Sequence, residues 1–110
     1  MTVQKKGVID IVAQDKSGVW EVVMVEERQW DGSTLQLQEL KDKVELYLEY
    51  VLDGPMDHGF PDSKGKAKRI RLFCAALPTG PTAEFLNRLK RFVAEYGVGF
   101  EIERIADKQN

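Results

Sequence analysis

Four side chains in the N-terminal half have types and spacing suited to metal-assisted chemistry. Asp10 interrupts the apolar run Val8-Ile9-Asp10-Ile11-Val12, and Glu26, Glu27 and Arg28 follow the run Val22-Val23-Met24-Val25. Carboxylates on two adjacent strands can share a divalent cation. Asp10 and Glu26 must then face the same way, and the register of the hairpin between them decides whether they do. Arg28 keeps its proton and cannot serve as a base. The plainer reading of these residues is an aspartate at a sheet end and surface carboxylates paired with Arg28.

Other reactive groups are scattered. Asp57, His58 and Asp62 share one loop and could ligate a metal, but their spacing fits no metal motif, and turn-forming aspartates account for them equally well. His58 is the only histidine and Cys74 the only cysteine. Cys74 falls at a buried strand position, where a thiol acts as a small hydrophobe, and nothing brings it to His58. Lys64, Lys66, Lys68, Arg69 and Arg71 form a run without an intervening acid. Such a run, joined by Arg88, Lys90 and Arg91, could meet phosphates or an acidic surface. Few aromatics interleave with it, so base stacking is not indicated. Gly97-Val98-Gly99 follows a helical stretch, whereas a dinucleotide fingerprint precedes one, and no cofactor is expected.

The elements that would position these groups read in the order β-β-α-β-α-β. Residues 8–13 and 19–25 are rich in β-branched residues and are joined by Gln14-Asp15-Lys16-Ser17-Gly18, a hairpin connection. Trp30-Asp31-Gly32 is a turn; Ser33 caps a helix, with Gln36 completing a capping box. Leu37, Leu40, Val44, Tyr47, Leu48 and Val51 recur at helical spacing, with Lys41, Asp42, Lys43, Glu45 and Glu49 on the solvated side. Gly54-Pro55 ends that helix, and residues 53–67 read as a long loop. A strand over 68–74 follows, then a helix capped by Thr82 with Phe85, Leu86, Leu89, Phe92, Val93 and Tyr96 on its apolar side, and a strand over 98–105. The hairpin is antiparallel and each helix returns the chain, so the other strand pairs are parallel by right-handed crossovers. The expected fold is a two-layer α/β sandwich: one four-stranded mixed sheet and two helices in a single domain of residues 1–110, with frayed tails at 1–6 and 106–110.

The second strand is apolar on both faces, the mark of an interior strand. Two helices cover only one face of four strands, so the other calls for a cover. Trp20, Val22 and Met24, with Trp30 at the following turn, are the expected interface residues, and a homodimer is the expected solution. Hydrophobic residues make up 43% of 110 residues, enough for a core without disulfide or metal. A net charge of −2 argues against nucleic-acid binding by bulk charge. The single thiol, with no secretory signal and no bilayer-length apolar run, points to a reducing cytoplasm and no membrane.

Two resemblances add to this reading. Residues 7–52 resemble the core of the PD-(D/E)xK nucleases. That likeness implies Asp10 and Glu26 as magnesium ligands, while Arg28 stands where the family has lysine. The whole chain is similar to a family of small uncharacterised bacterial proteins. Gly-Val-Ile-Asp at 7–10, Glu-Glu-Arg-Gln-Trp-Asp-Gly at 26–32 and Tyr-Leu-Glu-Tyr-Val-Leu-Asp-Gly at 47–54 carry this likeness, which implies no activity. The expectation from the sequence is a non-enzymatic protein working through protein–protein contacts. A degenerate metal-dependent nuclease and a polyanion binder are the alternatives.

Overall fold

Alternation along one strand sets the architecture. Val22 and Met24 point to one side of it, and Glu21, Val23 and Val25 to the other. The computed structural model describes residues 11–105, so the frayed-tail expectation and Asp10 lie outside the described residues. Strand β1 (Ile11–Gln14) pairs antiparallel with β2 (Trp20–Glu26), placing Ile11 opposite Val23 and Gln14 opposite Trp20. Helix α1 (Thr34–Leu52) leads to β3 (Lys68–Cys74), which is parallel to β2, with Val22 opposite Ile70 and Met24 opposite Leu72. Helix α3 (Gly80–Ala94) leads to β4 (Gly99–Arg104), parallel to β3, with Ile70 opposite Phe100. The sheet order is β1-β2-β3-β4, so β2 is interior as its apolar run implies.

Both long helices pack on the Val22–Met24 side. Leu40, Val44, Tyr47 and Val51 of α1 and Leu86, Leu89 and Val93 of α3 join Val22, Met24, Ile70, Leu72, Cys74 and Phe100 in one core. Each helix connects two parallel strands, so α1 and α3 run the same way, opposite to the strands. The Tyr47 hydroxyl donates to the Val23 carbonyl at 3.0 Å, which satisfies a buried polar group inside that core.

Local signals fix the turns. The Asp15 carboxylate accepts from the Ser17 amide, the Ser17 hydroxyl and the Val19 amide at 2.8, 2.7 and 3.0 Å, and Gly18 takes φ +94°, where a side chain would be strained. Ser33 Oγ accepts from the Gln36 amide at 3.1 Å, the cap expected from the sequence. The reciprocal half of the box differs: Gln36 reaches to the Gln29 carbonyl and the Asp31 amide, and Asp31 receives the Ser33 amide instead.

Three expectations are corrected. The long loop contains structure: a short helix α2 (Pro55–Gly59), started by proline, and a 3-10 turn over Pro61–Ser63, with Met56 and Ser63 buried. Helix α3 starts before Thr82, with Thr79 at its cap and Pro81 in its first turn, a position where the missing N–H costs nothing. Lys43 lies on the buried side of α1, only 2% exposed, with its ammonium 5.4 Å from the Tyr47 ring centre. The aliphatic stem covers apolar surface while the charge meets the ring face.

Candidate interaction surface

The expected catalytic cluster lies at the carboxyl end of β2. Glu26 is buried, and its carboxylate accepts from Arg28 three times: from the backbone amide at 3.0 Å, from Nε at 2.9 Å and from Nη2 at 2.8 Å. Arg28 Nη1 also reaches Glu39 on α1 at 2.8 Å. The Glu26 hydrogen bonds come first among the influences that hold the guanidinium far above its ordinary pKa, a locked cation. Glu26 thus clamps a strand end to a helix through Arg28. Glu27 is exposed, and the Asp10 to Glu26 geometry lies outside the described residues. Cys74, beside Glu26 in register, is buried; burial, then the Glu26 charge, pushes its thiol up to about 12, so it is held protonated.

The two arginines of the basic run are spent on the sheet face away from the long helices. Arg69 donates to Glu21 at 2.8 Å and to Asp15 at 2.5 Å; Arg71 donates to Glu21 at 2.5 Å and to Glu103 on β4. Asp15, Arg69, Glu21, Arg71 and Glu103 thus form a ladder of alternating charge across the sheet. Lys68 pairs with Asp57 at 3.3 Å. Lys64 and Lys66 are exposed on the loop, so two cations of the expected polyanion site remain without an acid among the described residues. Two arginines spaced i, i+2 on one strand, with an acid on each neighbouring strand, were the sequence signal for this ladder.

The loop acids and histidine stay apart in function. Asp57 is committed to Lys68 and to the Ser63 hydroxyl at 3.1 Å, while His58 and Asp62 are exposed. Among the described residues no group of three or more His, Cys, Asp or Glu side chains is arranged to hold a metal.

Of the expected interface residues, Val22 and Met24 have no accessible surface. They form the core beneath the helices, because the apolar face chosen for a partner is the face the helices cover. Trp30 is half-buried against the core, and its indole N–H donates to the Ala76 carbonyl at 2.7 Å. Trp20 packs on Phe60 with ring centres 5.9 Å apart, and its buried indole nitrogen has no acceptor among the described residues.

Exposed apolar side chains are spread over the surface, with Leu35, Phe60 and Leu77 standing apart, and part of the apolar surface lies on the outside of the helix layer. A groove of about 630 Å³ separates α1 from α3 and is lined by Lys41, Glu45, Phe85, Arg88, Leu89 and Phe92. It continues past Phe92 into a second hollow of about 210 Å³ bordered by Glu49, Leu52 and Tyr96. Leu52 and Tyr96 are about half exposed, at 44% and 51%. Phe92 and Tyr96 meet edge to face at 5.6 Å, making a preformed aromatic wall. The sequence placed Phe85, Leu86, Leu89, Phe92, Val93 and Tyr96 together on one apolar side of α3 without separating core from surface. Its width was the missed signal: Leu86, Leu89 and Val93 are buried in the core, whereas Phe85 and Phe92, packed against that core only in part, also line the groove, and Tyr96 borders the second hollow.

No described helix is long and apolar enough to cross a membrane. The model of one family, a family of unknown function, matches residues 1–106. No curated protein and no solved structure matches the chain.

Proposed function

The chain belongs to that family of unknown function (DUF6572), and we propose that it is a non-enzymatic protein that works through protein–protein contacts, self-association included, made by the groove between α1 and α3. The observation that carries this reading is an open concavity of about 630 Å³ walled by Phe85, Leu89 and Phe92 and bordered by Lys41, Glu45 and Arg88. Aromatic anchors with arginine at the border are the composition of energetically dominant contact sites. The fate of the reactive groups supports it further. Glu26 is consumed by Arg28, Arg69 and Arg71 by Glu21, and Cys74 is buried and protonated.

Sedimentation velocity of the full chain across the micromolar range tests this. Association rising with concentration is expected, and Phe92→Glu, which sets a charge in the groove wall, abolishes it while thermal unfolding stays cooperative. A wild-type chain that sediments as a monomer throughout, or association indifferent to Phe92→Glu, rejects the groove as a self-contact surface.

A further inference from the structure

Between their two ends, residues 55–66 are tied to the rest of the fold by side chains alone. Among the described residues their backbone hydrogen bonds outside α2 run from His58 to Gly54, Phe60 to Met56, Ser63 to Phe60, Lys64 to Pro61 and Lys66 to Ser63, so all stay within residues 54–66. Ala67 is the first residue joined to the sheet, where its carbonyl accepts from the Trp20 amide at 2.9 Å. Three attachments hold the segment down. The Lys68 ammonium donates to the Ser63 and Lys66 carbonyls at 2.9 and 3.4 Å and pairs with Asp57 at 3.3 Å. The Phe60 ring packs on the Trp20 indole. Met56 is fully buried in the core. No other hydrogen bond, ion pair or ring contact among the described residues joins the segment to the sheet or the long helices.

The segment starts from a glycine. Gly54 takes φ +105°, a region that side chains rarely adopt, and an added Cβ there would meet nothing within 4 Å. Rotation about the Gly54 N–Cα bond carries the Gly54 carbonyl with the segment, so the bond from His58 travels intact. The aromatic contact also leaves a donor unsatisfied. Trp30 donates its indole N–H to the Ala76 carbonyl at 2.7 Å, whereas the buried Trp20 indole nitrogen has no acceptor among the described residues. A buried donor without a partner favours any state that lets water reach it.

We propose that residues 55–66 are a strap that opens as one unit, pivoting at Gly54 and at the junction of Lys66 with Ala67, with the Lys68 ammonium as its latch, and that opening uncovers the Trp20 indole while the sheet stays folded. Opening gives up the Lys68 contacts, the Phe60 contact and the seat of Met56. It leaves the pairing of β2 with β3, which begins at Trp20 opposite Lys68, in place. Helix α2 has five residues, too few to persist once detached, so the amides of the strap lose protection in the same step. None of residues 55–66 lines the groove between α1 and α3, so strap opening and the protein-contact reading stand or fall separately.

Hydrogen exchange of the full chain, followed by NMR at the Trp20 indole N–H and at single amides, tests this. In wild type the Trp20 indole and the Phe60 and Ser63 amides should exchange at least about tenfold faster than the Val22 and Leu72 amides, and nearly independently of low urea concentrations, because a local opening exposes little surface. Lys68→Met keeps the stem and removes the ammonium. It should speed exchange at the Trp20 indole at least about tenfold, since hydrogen bonds to a charged group are lost. Leu86→Ala truncates a core residue of α3 that stays packed when the strap opens. It should speed the Val22 and Leu72 amides and leave the Trp20 indole unchanged; if that variant is too unstable to measure, the urea series makes the same distinction.

A Trp20 indole that exchanges at the rate and with the urea dependence of the core amides overturns the strap, because the segment then opens only with the whole fold. So does a Trp20 rate that follows Leu86→Ala. A rate indifferent to Lys68→Met overturns it as well, since the indole N–H then reaches solvent without release of the latch.

Discussion

The two faces of the sheet are built from the same four strands and reach stability by different means. On the helix side, Val22, Met24, Ile70, Leu72 and Phe100 are essentially inaccessible and interlock with α1 and α3. On the other side, the alternate residues Glu21, Arg69, Arg71 and Glu103 neutralise one another, with Asp15 of the hairpin turn closing the series. Dry packing is dense and intolerant of lost volume. A ladder of ion pairs remains partly wet, tolerates change in volume and responds to salt and pH. Among the described residues the two long helices cover one face, and on the other the arginine charges are paired in register with acids of the neighbouring strands.

The sharpest way to break this contrast is to remove volume from the helix side. Met24 sits at the centre of β2 with no accessible surface. Met24→Ala should cost about 2–5 kcal/mol in chemical unfolding, since transfer and cavity terms add. A loss below about 1 kcal/mol would mean that the layer above Met24 is loosely packed.

The corresponding change on the open face is Glu21→Gln. It removes the carboxylate shared by Arg69 and Arg71 and leaves two cations two residues apart. The expected cost is about 1–3 kcal/mol, smaller than the core truncation because the arginines keep some contact with solvent. The penalty should shrink as salt screens the arginine repulsion, whereas that of Met24→Ala should not. Equal salt dependence of the two variants would remove the distinction between the faces.

How much of this was legible follows from what each pattern encodes. Much of the helix side was plain, because alternation in β3 and β4 and the apolar stripe of α1 are local periodicities. Element order and the interior place of β2 followed from the same signals. Which face of β2 the helices take was not legible: Val22 and Met24 look no more apolar than Val23 and Val25, and only tertiary packing separates them. The ladder was misread for a related reason. Lys68, Arg69 and Arg71 are a basic run along the chain, yet their acids come from residues 15, 21, 57 and 103, which only the strand register brings close. Glu26 and Arg28 were the opposite case, since a pair two residues apart is local and the pairing with Arg28 was the plainer reading from the start. The groove escaped because apolar residues on a helix do not reveal which neighbour covers them.

The smallest effect separates the faces by the direction in which pH loosens them. On the open side, hydrogen bonds from the Ser17 hydroxyl, the Val19 amide and Arg69 hold the Asp15 carboxyl well below its ordinary value of 3.8. A depressed carboxyl contributes stability that is present above its unfolded pKa and is lost as pH falls through the folded one. Acid should therefore loosen the hairpin turn and the Asp15 end of the ladder first, and Asp15→Asn should lower stability at neutral pH while flattening its fall in acid. On the helix side, burial pushes Tyr47 from 10.0, and burial with the Glu26 charge pushes Cys74 from 9.0, each to about 12. A raised group contributes stability that is complete below its unfolded pKa and is lost as pH rises through the folded one. The core should therefore weaken above about pH 9, and Cys74→Ala should reduce that alkaline slope and leave the acid limb unchanged. Amide exchange followed residue by residue across both limbs reads the two sides separately. Protection lost first around Asp15 to Val19 in acid, and first around Tyr47 and Cys74 in alkali, is the expected order; simultaneous loss on both sides at either extreme would show that the sheet opens as one unit and that its faces do not differ in this respect.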